Sequence, residues 1–242
     1  RFFEQFVGPT SRKFINRLKG IESESSGFEP VNDNMRASNG GAMKIGPVAC
    51  FGKGDMEKTI DIAKVICMPT HGNRISMSAA CAVAAAVCGA LNGKDLFGIF
   101  KDAMSGAEKG EAIGAAGNTV AGPSFPKRLQ SAIALGMNAN DLSEAMDTLR
   151  SYFDCSGMAA DSVPVSFGLM AAAKGDVMAA VQAAANIGND TDTMATIVGA
   201  VLGAKNGVHA FPEELVRKLD EANGYDLCAL AETMEATDVV IG

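Results

Sequence analysis

The spacing of apolar residues constrains the fold of this chain more than any other feature of its sequence. Over nearly all of the 242 residues, apolar side chains recur three or four positions apart, as they do on one face of an α-helix. No two runs of alternating polar and apolar residues are joined by a hairpin turn, so candidate strands are almost absent. We therefore predict an all-α protein. The predicted helices cover residues 9–19, 55–67, 73–91, 94–115, 125–135, 140–149, 159–173, 175–186, 191–204 and 212–222.

Capping and helix-breaking residues mark the ends of several of these helices. Aspartates stand where N-caps are expected, prolines where a first turn tolerates a missing N–H, and glycines where a helix stops. These residues are Asp55 and Asp141, Pro126 and Pro212, and Gly136, Gly175 and Gly207. In addition, Gly199, Gly203 and Gly207 recur at every fourth position, which predicts that a neighbouring helix approaches closely there. Near the start, the pattern predicts that Phe14, Ile15 and Leu18 face inward and that the basic residues around them are solvated.

Composition and charge exclude several classes of protein. Hydrophobic residues make up 48% of the chain and charged residues 20%, and no linker divides it, so we expect one compact domain over residues 1–242. The net charge of −7 argues against a nucleic-acid partner, because phosphate binding depends on lysine and arginine. The longest apolar run, residues 78–91, is shorter than the roughly 20 residues of a membrane span, so a buried helix is expected there and no membrane partner.

The cysteines and the first residues indicate the compartment. Six cysteines with no C-x-x-C pair are typical of reduced core residues in a cytosolic protein. The opening RFFEQF does not have the pattern of a secretory signal. We therefore expect a cytoplasmic protein, while its oligomeric state is left open.

The segment GNDTDT, residues 188–193, concentrates oxygen-bearing side chains at the start of an apolar helix. Two aspartates two positions apart would point about 200° away from each other on a regular helix. If Asp190 instead precedes the helix and Thr191 begins it, the carboxylates of Asp190 and Asp192 and the hydroxyl of Thr193 can converge. Such clustered oxygens suit Mg²⁺, Mn²⁺ or Ca²⁺. The alternative is that Asp190 caps the helix and Asp192 and Thr193 simply favour its first turn, which spacing alone makes the commoner case.

Two further stretches contain residues suited to a ligand. In ASNGGAMKIGP, residues 37–47, Gly40 and Gly41 can expose backbone N–H groups beside Ser38 and Asn39, which suits a diphosphate or a ribose. A generic glycine turn is the alternative. This stretch belongs to a long irregular segment, residues 20–47, and such segments are often functional. In PTHGNR, residues 69–74, His71 stands at the entry to the alanine-rich helix, where an ordinary polar or capping residue is the alternative.

The order and context of these stretches resemble the ADP-ribosylglycohydrolase family over about residues 7–219. SNGGAMKIGP is similar to the N-G-A-A-M-R-x-x-P loop of that family, although Lys44 stands where the family usually has arginine. THGNRISMSAACAVAAAV resembles its T-H segment and following helix, and residues 160–207 resemble its closing D-T-D-T segment, with FPEEL after it.

The resemblance implies a compact, orthogonal all-α fold around two divalent cations, Mg²⁺ or Mn²⁺. It implies that Asp190, Asp192 and Thr193 are metal ligands, with the two aspartates also catalytic. It implies ligand-binding roles for Ser38, Asn39, Gly40, Gly41 and His71. The implied reaction releases ADP-ribose from an ADP-ribosylated protein or a small ADP-ribosyl substrate, with arginine as the first choice of modified side chain.

The sequence leaves two alternatives to this activity. The family begins with a region bearing a G-D-A-x-G helix and a T-D-D-T segment that supplies other metal ligands, and neither is found here. We therefore expect the C-terminal two-thirds of a family member. A catalytically silent ADP-ribose-binding or crystallin-like structural protein, or a hydrolase of another riboside, stays open.

Overall fold

The computed structural model describes residues 9–21 and 37–239, and within these ranges it contains twelve α-helices and no named strand. The prediction of an all-α fold is therefore confirmed. The helices are α1 Pro9–Leu18, α2 Val48–Gly52, α3 Met56–His71, α4 Arg74–Leu91, α5 Leu96–Gly114, α6 Phe125–Asn138, α7 Leu142–Tyr152, α8 Ala159–Ala172, α9 Val177–Asn186, α10 Thr191–Asn206, α11 Glu213–Asn223 and α12 Leu227–Ala236. Residues 42–44 and 208–210 form short 3₁₀ turns.

Helix α4 is the centre of the core. Every residue from Ile75 to Ala90 is buried, and the helix packs against α3, α5 and α10. Among the described residues it is the one helix long and apolar enough to cross a membrane, but 89% of it is buried inside the protein. A helix that is apolar on all sides belongs in the interior, as the sequence predicted.

Helices α4 and α5 pack closely. A Cβ atom added to Gly106 or Gly110 of α5 would clash with a backbone carbonyl of α4, and one added to Gly114 would clash with the carbonyl of Asn73, the N-cap of α4. The glycines therefore let the two backbones touch. The stripe that we predicted to do this, on α10, does not: a Cβ atom on Gly199 or Gly207 would meet no atom within 4 Å, and Gly203 faces the ring of Phe211.

Several predicted helix ends are confirmed and others are wrong. Asp55 and Asp141 cap α3 and α7 by accepting hydrogen bonds from Lys58 N at 3.1 Å and Glu144 N at 2.9 Å. Gly136 does not stop α6, which continues to Asn138. This glycine instead lies against the backbone of Gly168 in α8, where a side chain would not fit. Helix α3 likewise passes through Pro69 and ends at His71.

Other sequence expectations fail where local periodicity carries little information. Helix α2 has only five residues, too few to show a period, and α12 was also missed. Ile15 and Leu18 of α1 are exposed rather than inward. Pro212 precedes α11 instead of lying in its first turn. Of the irregular segment 20–47, residues 22–36 lie outside the described residues.

Candidate functional site

The candidate site lies where three non-helical segments meet. Residues 37–41 precede α2, residues 153–158 connect α7 to α8, and residues 187–190 connect α9 to α10. Asn39 N donates to Gly157 O at 2.9 Å, and Asp190 N donates to Cys155 O at 3.0 Å. Residues 153–158, here called the connecting segment, thus hold two predicted stretches that are about 150 residues apart in the chain.

The side chain of Asn39 joins the two stretches directly. Its Nδ2 atom donates to Asp190 Oδ2 at 2.5 Å and to Ser162 Oγ at 2.7 Å, so both amide hydrogens are used. Asn39 is only 5% exposed. Predicted as a ligand-binding residue, Asn39 here fixes the direction of the Asp190 carboxylate.

Asp190 stands immediately before α10 but does not cap it. Its side chain makes no cap hydrogen bond, whereas the aspartates before α3, α5, α7, α9 and α12 all accept from a backbone N–H. The capping alternative is therefore wrong for Asp190. Gly188 and Asn189, both at positive φ, turn the chain just before it.

Burial raises the pKa of the Asp190 carboxyl above its ordinary value. The hydrogen bond from Asn39 opposes this, the neighbouring carboxylate of Asp192 raises the pKa further, and the hydroxyl of Thr193 lowers it. Asp192 is exposed and Thr193 is buried, with Thr193 Oγ1 3.8 Å from Met43 Sδ. The carboxylate of Asp192 and the hydroxyl of Thr193 are thus close enough to the Asp190 carboxylate to act on its pKa, and the role of the three groups as metal ligands stays a prediction.

His71 contacts the loop that contains Gly40 and Gly41, here called the glycine loop. It is the last residue of α3, not the start of α4, which is capped instead by Asn73 through hydrogen bonds from Ile75 N and Ser76 N. A Cβ atom on Gly40 would lie 2.7 Å from His71 Nε2, and one on Gly41 would lie 3.5 Å from the His71 Cβ and Cγ atoms. Only glycine at position 40 leaves room for the imidazole.

Burial, and secondarily the charge of Lys44, lowers the pKa of His71 to about 4. Its ring is therefore neutral at neutral pH. Nδ1 lies 2.7 Å from Thr70 Oγ1. If Thr70 donates this bond, the proton of the neutral ring is on Nε2, beside Gly40.

The chemistry of these donors fits a hard divalent cation. Asp190, Asp192 and Thr193 offer only oxygen, and Mg²⁺ is commonly held by one or two carboxylates while it keeps several waters. Within residues 9–21 and 37–239, no group of three or more His, Cys, Asp or Glu side chains could hold a metal ion. Asp190, Asp192 and Thr193 would therefore supply only part of the coordination shell of such a cation, and water or substrate would complete it.

Sequence reasoning missed the connecting segment and Ser162. The segment contributes through the backbone carbonyls of Cys155 and Gly157, which carry no signal in residue type. Ser162, on the buried face of α8, has no spacing relation to Asn39, 123 residues away. Only the fold brings these groups together.

Fold and site together define an all-α protein with an oxygen-rich, carboxylate-bearing site between three loops. A family model described as ADP-ribosylglycohydrolase matches residues 3–240. The chain belongs to the ADP-ribosylglycohydrolase family, a family of glycosidases that act on ADP-ribose linkages.

One curated relative is the uncharacterized protein YegU of Escherichia coli (strain K12). It is 27% identical to this chain over 228 residues, which cover 93% of this chain and 65% of YegU. The chain therefore spans about two-thirds of the length of the curated relative that it matches.

Proposed function

We propose that this protein is a metal-dependent hydrolase that cleaves the N-glycosidic bond between ADP-ribose and a modified protein side chain, arginine first, and releases ADP-ribose. The observation that carries the proposal is the position of the Asp190 carboxylate. This carboxylate does not cap α10 but accepts a hydrogen bond from Asn39 Nδ2. It also lies beside the carboxylate of Asp192, which raises its pKa. Family membership supplies the reaction class.

Hydrolysis breaks the bond between ribose C1 and the side-chain nitrogen, forms a bond from C1 to a water oxygen, and moves a water proton to the departing nitrogen. Positive charge develops on the sugar ring as the C–N bond lengthens. A divalent cation, Mg²⁺ or Mn²⁺, would polarise the water and fix the sugar diol when bound. Asp190, Asp192 and Thr193 would hold it.

The glycine loop and His71 would bind the ADP-ribose moiety. Ser38, Asn39, Gly40 and Gly41 form one wall, and Ser38 O is tied to α4 by a 2.9 Å hydrogen bond from Ser76 Oγ. A neutral imidazole carrying its proton on Nε2 can donate to a phosphate oxygen without a counter-charge. Lys44 is exposed and close enough to lower the pKa of His71, so it supplies positive charge for a diphosphate.

The decisive experiment measures free ADP-ribose released from ADP-ribosyl-arginine by the natural full-length protein. It is run with Mg²⁺ or Mn²⁺, with chelator, and with Asp192→Ala. We expect release that requires metal and is lost in the variant. Release that persists in chelator would contradict the metal role, and release from ADP-ribosyl-serine alone would change the substrate.

A second candidate is a catalytically silent ADP-ribose-binding protein. The observation that favours it is that no group of three or more His, Cys, Asp or Glu side chains among the described residues could hold a metal ion. Titration calorimetry with ADP-ribose separates the two: equal affinity with and without divalent metal, together with no release, supports the silent protein.

A further inference from the structure

We propose that Arg128 of α6 is a positioning residue for the candidate site: it holds the connecting segment, residues 153–158, against α8, and through this segment it keeps Asn39 and Asp190 in register. The roles of Asn39 in ligand binding and of Asp190 in metal binding belong to the proposed function, and the functional part of this proposal rests on them.

The connecting segment carries both halves of the site. Cys155 O accepts from Asp190 N, and Gly157 O accepts from Asn39 N. Asn189 Nδ2 adds a 2.9 Å bond to Asp154 O, and Ser38 pairs antiparallel with Met158. A shift of the segment would therefore move the carboxylate of Asp190 relative to the amide of Asn39.

The segment is not self-supporting. None of its residues lies in a helix, and Cys155 adopts a left-handed φ of 51°, which is unfavourable for a non-glycine residue. Cys155 is nevertheless buried. Contacts with residues outside the segment therefore help to hold its conformation.

Arg128 contacts the first residue of the connecting segment and the first turn of α8, which follows the segment. At the first end, its guanidinium carbon lies 4.4 Å from the centroid of the Phe153 ring, a cation–π contact. Just beyond the other end, in the first turn of α8, it donates to Asp161 Oδ1 at 2.8 Å and to Ala160 O at 2.6 Å. The planar fork makes all three contacts at once, which a lysine ammonium does not reproduce.

The second oxygen of Asp161 continues the network into the segment. Ser156 Oγ donates to Asp161 Oδ2 at 2.8 Å and accepts from Met158 N at 3.2 Å. Arg128 and Asp161 are about three-quarters buried or more, with side-chain exposures of 27% and 19%. A shielded pair of this kind holds its geometry better than an exposed one.

The test compares Arg128→Met and Arg128→Lys with Lys94→Met in the full chain. Lys94 is the matched control because it also pairs with a carboxylate, Asp102, at 2.7 Å, but at the far end of α4. Hydrogen exchange by mass spectrometry follows the peptides that contain the amides of Asn39 and Asp190. We expect at least tenfold faster exchange of both peptides in Arg128→Met, partial recovery in Arg128→Lys, and no change in Lys94→Met.

Ser156→Ala keeps the test decisive if Arg128→Met fails to fold, because it removes two hydrogen bonds of the network and no charge. It should accelerate the same two peptides by a smaller factor. Unchanged site peptides in both Ser156→Ala and a folded Arg128→Met would overturn the proposal, as would acceleration limited to residues 125–161.

Calorimetry with ADP-ribose separates this proposal from the proposed function. If wild type binds ADP-ribose, Arg128→Met should weaken binding about tenfold while Lys94→Met leaves it unchanged. If wild type does not bind ADP-ribose and does not release it, the proposed function fails, yet the exchange result still decides the role of Arg128.

Discussion

Asp190 and Asp192 illustrate how a side chain two positions away changes what an aspartate does. Asp190 lies at the N-cap position of α10, but its carboxylate accepts a hydrogen bond from Asn39. The exposed Asp192 places a second negative charge beside this carboxylate. Without a cation the two carboxylates repel, and a cation between them would remove that repulsion.

The first prediction separates metal binding from capping at this pair. Asp192→Ala should change the free energy of unfolding of the metal-free protein by less than about 1 kcal/mol, since it removes repulsion as well as a favourable first-turn charge. Under the proposed function, Mn²⁺ should raise the melting temperature of the wild-type protein, and Asp192→Ala should abolish this rise.

Asp176→Ala is the control, because Asp176 caps α9 through a 2.9 Å bond from Ala179 N. It should cost about 1 kcal/mol and leave the Mn²⁺ response intact. Thermal melts with Mn²⁺ and with chelator measure both variants, and a large loss in metal-free Asp192→Ala would favour a purely structural role.

His71 gives a second prediction, on pH. Its folded pKa is about 4, whereas the ordinary value is 6.5, so between these values the unfolded chain binds the proton that the folded protein refuses. Its contribution to stability is complete above pH 6.5 and is lost as the pH falls towards 4, by roughly 3 kcal/mol in all. His71→Gln should flatten the pH dependence of the free energy of unfolding in this window.

Urea denaturation at pH 4.5 and 7.0 measures the effect. His209→Gln is the control, because His209 is the other histidine and is exposed. A pH dependence that is equal in wild type and His71→Gln would show that His71 does not resist protonation.

At the scale of the element, glycines act in opposite ways on α5 and α10. Gly106 and Gly110 of α5 lie directly against the backbone of α4, and no space for a side chain remains there. Gly199 of α10 faces open space. The same residue type is thus required in one helix and dispensable in the other.

The third prediction uses this contrast. Gly110→Ala places a Cβ atom against the Met77 carbonyl and should destabilise the protein by about 2 kcal/mol or more, despite the better helix propensity of alanine. Gly199→Ala should stabilise it by about 0.5–1 kcal/mol. Urea denaturation of the two variants and of wild type measures both changes in the free energy of unfolding. Equal changes in the two variants would contradict the close packing of α4 on α5.

At the scale of the whole molecule, burial divides the chain into a core and a loosely packed end. Helices α11 and α12 contain no buried residue, whereas α4 is buried almost throughout. The cysteines follow the same division: Cys67, Cys81, Cys88 and Cys155 are buried, Cys50 is partly buried and Cys228 is exposed. The prediction of core cysteines therefore fails at Cys228.

The fourth prediction concerns these thiols. Burial raises the pKa of Cys67 to about 11, that of Cys81 to about 12 and that of Cys155 to about 11. A colorimetric thiol reagent at pH 8 should therefore react with Cys228 rapidly, with Cys50 slowly, and with the other four only on unfolding. Cys228→Ser should remove the rapid phase, and reaction of three or more thiols in the folded protein would contradict the buried core.

The sequence by itself determined the helical class, most helix positions, and the three stretches around Asp190, Asn39 and His71. It could do so because helical periodicity and local clusters of oxygen or glycine are properties of neighbouring residues. Only the tertiary structure decided which glycines lie against a neighbouring helix. It also decided that the Asp190 carboxylate accepts a hydrogen bond from Asn39 instead of capping α10, and that the connecting segment, with Arg128 beside it, holds Asn39 and Asp190 together. These outcomes depend on contacts between residues more than 20 positions apart in the chain, and a pattern of neighbouring residues does not predict such contacts.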